Sequence, residues 1–152
     1  MLSPEKREVV WDEEGVIFLT YKEGKVLLEE RSRSDPKFPG FLLIPGGTME
    51  KGETSQETLK RETKEEFGKG FEIVECVPLV SFLHFDGRGK LLKSHAFLIR
   101  DYKGPVTNGE PERTIHIWLP IKIAYDSVPL GSSKLVIARA VEVISGEGLS
   151  RG

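Results

Sequence analysis

Cysteine is almost missing from this sequence. Cys76 is the only one in 152 residues, so no disulfide can form within the chain and a reducing compartment is expected. Set in the apolar run 71–80, Cys76 reads as a small buried hydrophobe with no activating base beside it. Long hydrophobic runs are missing too: none approaches the roughly 18 residues of a membrane span. The start, Met1-Leu2-Ser3-Pro4, has no signal-peptide core. A cytoplasmic protein is expected. Charge of one sign is also lacking. Lys and Arg number 22 against 24 Asp and Glu, a formal net charge of −2, so the basic footprint of a general nucleic-acid binder is absent. No internal repeat or low-complexity stretch occurs. The length suits a single domain, 1–152, which at this size buries roughly 70% of its unfolded surface.

What is present is mostly strand-forming. Runs at 16–21 and 25–30 flank the turn Lys22-Glu23-Gly24-Lys25 and predict a hairpin. A polar loop at 31–40 leads to a short buried strand at 41–44, which ends at Pro45-Gly46-Gly47. Further strands are predicted at 71–85, 94–102 and 114–123, and helical spacing of apolar residues predicts a C-terminal helix at 132–144. Many strands with two clear helices predict an α+β or α/β/α sandwich, with helices covering a mixed sheet.

One helix marks its own ends. Thr54 is an N-cap, Glu57 three residues later completes a capping box, and Gly68 follows the last periodic residue. Leu59, Thr63 and Phe67 form the stripe that faces the core, and Lys60 and Lys64 point elsewhere. Glu62, Glu65 and Glu66, at i, i+3 and i+4, share a 100° arc on which only Arg61 offers compensation. Like charges at this spacing cost a helix about 0.2–0.5 kcal/mol per pair. Three carboxylates on one arc are hard oxygen ligands, suited to Mg2+ or Mn2+. A solvated acidic face is the plain alternative. The glycines upstream count against it, because Gly46 and Gly47 let backbone groups approach a ligand.

These residues closely resemble the Nudix box, G-x5-E-x7-R-E-U-x-E-E-x-G-U, with U a bulky aliphatic. Here the box spans 47–69, and Gly47, Glu53, Arg61, Glu62, Glu65, Glu66 and Gly68 match all seven fixed positions. Thr63 and Lys69 depart from the two aliphatic positions. The resemblance implies a Nudix-type α/β/α sandwich that hydrolyses a nucleoside diphosphate linked to another moiety, using Mg2+ or Mn2+. It implies that Glu62, Glu65, Glu66 and the Gly46 carbonyl bind metal, that Arg61 and Glu53 orient the carboxylates, and that Gly47 lies at the substrate. The general base is left between Glu65 and Glu112, the latter in the loop Asn108-Gly109-Glu110-Pro111-Glu112-Arg113; a solvated loop carboxylate is the alternative for Glu112. Arg31 resembles a phosphate-contacting arginine of relatives, a surface arginine being equally open.

Substrate markers downstream of the box are absent, so elimination points to a MutT-like nucleoside triphosphate pyrophosphohydrolase releasing a monophosphate and pyrophosphate. ADP-ribose, sugar nucleotides and dinucleoside polyphosphates remain alternatives, as does a non-catalytic nucleotide sensor. His84 or Phe85 could stack on a base. The expected partner is a small nucleotide, with no polymeric nucleic acid and no membrane, for a monomer or homodimer.

Overall fold

The structure, a computed structural model, describes residues 9–36 and 38–150, with side chains through 146. The N-terminal segment considered above for a leader lies outside the described residues. Among the described residues, seven strands and three helices follow in the order β1 (Glu13–Lys22), β2 (Lys25–Arg31), β3 (Leu42–Leu43), β4 (Gly46–Thr48), α1 (Ser55–Phe67), β5 (Glu72–Phe85), β6 (Leu91–Lys103), β7 (Thr114–Pro120), α2 (Ile121–Ser127) and α3 (Gly131–Ser150). Among the described residues, no helix is long and apolar enough to cross a membrane.

The β1–β2 hairpin turns at Glu23 and Gly24, both at positive φ (52° and 82°). Its strands then diverge, pairing with each other only at Tyr21–Val26 and Lys22–Lys25. Beyond that point β1 joins β6 in parallel and β4 in antiparallel fashion, whereas β2 takes β7 and β3. The sheet therefore opens into two wings, and Ile44 and Pro45 carry the chain from β3 on one wing to β4 on the other.

Strand alternation sends neighbouring apolar residues to opposite faces. Leu19, Leu28, Ala96 and Leu98 enter one core with α2 and α3; Phe18, Leu27, Phe97 and Ile99 enter the other with α1. The result is the α/β/α sandwich expected from the sequence. On the second face Phe67 meets Phe18 and Phe71 edge-on, with ring centroids 5.5 and 5.1 Å apart. Burying Phe67 alone contributes roughly 1.5–3 kcal/mol, more than repulsion among the α1 glutamates removes.

Several expectations shift. The run 114–123 is not one strand: Pro120 ends β7 and Ile121 begins α2, since proline cannot donate to a ladder and fits a helix start. Gly46–Thr48, expected as loop, forms β4, because its glycines let the backbone lie against β1. A Cβ on Gly46 would overlap the Val16 carbonyl. Cys76 is half-buried at the margin of the second core rather than enclosed, because β5 is an edge strand.

Candidate functional site

Helix α1 begins as its sequence predicts, with Thr54 Oγ1 accepting from the Glu57 N–H (3.1 Å) and the Glu57 carboxylate accepting from the Thr54 N–H (3.2 Å). At its other end Gly68, at φ 96°, donates its N–H to the Lys64 carbonyl (2.9 Å). Lys64 turns away from the glutamates and donates to the Phe71 carbonyl (2.9 Å). Thr58, Leu59, Thr63 and Phe67 fill the core side. The acidic arc then divides by depth. Glu62 and Glu66 are 9% and 8% exposed, whereas the Glu65 side chain is 55% exposed.

Arg61 is the hub of the outer half. It donates to both oxygens of Glu53 (2.9 and 2.8 Å), to Glu62 (2.8 Å), to Glu65 (3.3 Å) and to the Thr48 carbonyl (3.0 Å). One planar fork thus ties the loop before α1, the end of β4 and two helix carboxylates together. The Arg61 hydrogen bonds, helped by the Glu50 N–H, hold the Glu53 carboxyl down at about 2. Glu62 is pressed against β4 so closely that a Cβ on Gly47 would overlap its carboxylate. Only glycine leaves room there.

The inner half lacks such compensation. Burial, then the charges of Glu29, Glu110 and Glu62, push Glu66 from its ordinary 4.5 up to about 8. Burial also raises Glu62 and Glu29, against the lowering influence of Arg61 and Arg31 respectively. Glu29 Oε2 and Glu66 Oε2 are buried without any hydrogen-bond partner. Buried polar atoms are nearly always satisfied, so a pair of bare carboxylate oxygens fits a hard divalent cation better than it fits a packed core. Among the described residues no three such side chains already stand as an ion cage; the fit rests on these oxygens and their chemistry.

Sequence reasoning missed Glu29 and Glu110. Alternation could have found Glu29, because Leu27 and Glu29 share the core-facing side of β2. Glu110 was inaccessible to spacing arguments, because a tertiary contact positions it. Thr107 donates its N–H and hydroxyl to the Phe67 carbonyl (2.8 and 3.0 Å), and the Gly109 N–H donates to the Glu66 carbonyl (2.9 Å). The loop thereby caps α1 and brings half-buried Glu110, not exposed Glu112, among the charges acting most strongly on Glu29, Glu62 and Glu66.

Arg31 is drawn into the site rather than left at the surface. It donates to Glu29 (3.2 Å) and Asp35 (3.4 Å), and Arg113 links Asp35 to Glu110. Arg31 also lines a cleft with Gly46, Gly47, Phe38, His84 and Ser94. Phe38, which carried no sequence signal, stacks on Phe41 and sits at φ 51°, a rare conformation for a bulky residue. His84 bonds Ser94 (2.6 Å) on the cleft side of the β5–β6 hairpin. Phe85 falls on the opposite face by alternation and is exposed.

A family model described as NUDIX domain matches residues 14–137. A nucleoside triphosphatase, NudI, of an Enterobacter species is 42% identical over 36% of this chain. An ADP-ribose pyrophosphatase of Methanocaldococcus jannaschii is 32% identical over 69% of it. The chain spans 39% and 62% of the lengths of these two relatives. In fold it is similar to a MutT NUDIX hydrolase of Burkholderia pseudomallei (TM-score 0.70, 21% identity, covering 84% of this chain and 96% of that one). An ADP compounds hydrolase also has TM-score 0.70, at 19% identity, covering 90% of this chain and 75% of that one. With a family model matching most of its length, residues 14–137, the chain belongs to the Nudix family.

Proposed function

We propose that this chain, a single domain over 1–152, is an Mg2+- or Mn2+-dependent pyrophosphohydrolase that cleaves nucleoside triphosphates to the monophosphate and pyrophosphate. Nudix hydrolases generally use divalent cations and act on small nucleotides. The observation that carries the reading is one cleft with two kinds of wall. Phe38, His84 and Ser94 suit a base, and they share the cleft with Arg31, Gly46 and Gly47 beside Glu62. A base seated among the first group would leave its phosphates against the second.

Glu62 and Glu66, with Glu65 at the rim and the Gly46 carbonyl, would hold the cation. Bound there, it would offset phosphate charge and acidify an attacking water. Arg31 would bind a phosphate, while Arg61 and Glu53 keep Glu62 aimed. For the base, the half-buried Glu110 is favoured over Glu112 and Glu65, because its charge already bears on the inner carboxylates. Loss of a general base costs about 100- to 10,000-fold. Glu110→Gln should show that drop in kcat, with Glu112→Gln within about threefold of wild type. The reverse pattern would return the role to Glu112.

ADP-ribose is the second reading, favoured by a relative aligned over 69% of the chain and by a polar groove shared by Arg31, Glu112 and Arg113. Product analysis separates the two. Nucleoside triphosphates and ADP-ribose would be assayed with Mg2+, with and without EDTA. Pyrophosphate released from the triphosphates is expected. Release of orthophosphate, or turnover indifferent to EDTA, would sink the proposal, and faster turnover of ADP-ribose would select the second reading.

A further inference from the structure

Four described side-chain atoms are buried without a hydrogen-bond partner: Thr20 Oγ1, Glu29 Oε2, Glu66 Oε2 and His116 Nε2. Three belong to residues gathered near the C-terminal end of α1. His116 is the cross-strand partner of Glu29 in the β2–β7 ladder, and its ring meets Phe67 edge-on at 5.5 Å. Glu29 is in turn the charged group that acts most strongly on Glu66.

Glu29 is a strange occupant of its position. It follows Leu27 on the face of β2 that alternation turns toward α1, where an apolar side chain would pack without penalty. Its side chain is 1% exposed. Orienting Arg31 explains half of it: Oε1 accepts from Arg31 Nε at 3.2 Å. It does not explain Oε2, which has no donor at all. A glutamine would serve Arg31 as well without burying a bare anionic oxygen. An unpartnered carboxylate oxygen retained beside a second one, also unpartnered, is what a shared cation requires.

We infer that Glu29 is a ligand of the catalytic cation, sharing it with Glu66 through Oε2 while Oε1 holds Arg31. This rests on the reading of the helix glutamates as the metal site. It adds a strand to that site. Ion and phosphate-binding arginine would be joined by one rigid carboxylate, so that occupancy on one side orders the other.

The test uses Mn2+ alone, titrated into the full chain without nucleotide and followed by the electron paramagnetic resonance of free Mn2+. Wild type is compared with Glu29→Gln, Glu29→Leu and Glu62→Gln. Glutamine preserves the acceptor for Arg31, and leucine suits the strand face should glutamine fold poorly. Both Glu29 variants should bind Mn2+ at least about tenfold more weakly. In EDTA, Glu29→Gln should melt above the wild type, because a bare buried anion has gone. Mn2+ affinity unchanged in the Glu29 variants but weakened in Glu62→Gln would overturn the inference and leave the metal site standing; Glu29 would then share a proton with Glu66 or serve Arg31 only. Equal affinity in wild type and Glu62→Gln would remove the metal reading itself.

Discussion

Arg61 makes five hydrogen bonds from three nitrogens, and the directions of those bonds carry its proposed role. Nε and Nη2 grip Glu53, while Nη1 reaches Glu62 at 2.8 Å. An ammonium carries the same charge but cannot span both carboxylates and the Thr48 carbonyl at once. Arg61→Lys should therefore fold normally by far-UV circular dichroism and, if Arg61 has the proposed role, lose about 10- to 100-fold in kcat, the usual effect of disturbing a residue that orients metal ligands. Catalysis within about threefold of wild type would show that only the charge matters. The sequence brought out Arg61 through its place between Glu53 and the helix glutamates, all within one short stretch. It did not reveal that Glu62 rather than Glu65 takes the shorter of the two bonds, because that depends on how deeply β4 seats α1.

Among the elements, α1 and the loop before β7 act as a pair. The helix needs donor partners for its last carbonyls, and Thr107 and Gly109 provide them. This docking positions Glu110, whose N–H is further fixed by the Asn108 side chain (2.8 Å). Gly109 permits it: a Cβ there would overlap the Glu65 carbonyl. Gly109→Ala should thus lift the loop from the helix. Misplacement of a catalytic group by about 1 Å can cost about 100-fold in rate, and a loss of that order in kcat is expected, with a lower melting temperature from the helix end left without its donors. An alanine variant as active as wild type would show that the loop does not place Glu110 for catalysis. The ends of α1 were legible because capping is local, settled within four residues. The loop was not, because its partner lies some forty residues away along the chain.

At the scale of the molecule, the electrostatics have a pH signature. Glu66 is raised from 4.5 to about 8 by burial and then by its acidic neighbours. A carboxyl raised in this way binds its proton more tightly in the folded than in the unfolded state. It therefore withdraws stability as pH climbs from 4.5 through about 8. His84 and His116, lowered below 6.5 by burial, act in the opposite sense, but their effect is complete by 6.5. Glu53, held at about 2 chiefly by Arg61, matters only in acid: its contribution is full above 4.5 and is lost as pH falls toward 2. In EDTA the melting midpoint should accordingly fall between pH 6.5 and 8, and Glu66→Gln should flatten that slope. A midpoint level or rising over this window in the wild type would contradict the assignment.

The sequence by itself determined the helix, its caps, its acidic arc and the glycines beside it, because each is fixed by residues within one or two turns or by strand-scale alternation. It also determined the family, since the box residues are local. Tertiary structure alone decided which carboxylates are buried, through the divergence of β1 and β2 that lets α1 lie over both wings of the sheet. It brought Glu29 from β2 and Glu110 from the loop before β7 to Glu66, and it set Arg31, open in the sequence between phosphate contact and surface, on the cleft. Burial and charge proximity are properties of packing between distant segments, and no local pattern in the chain encodes them.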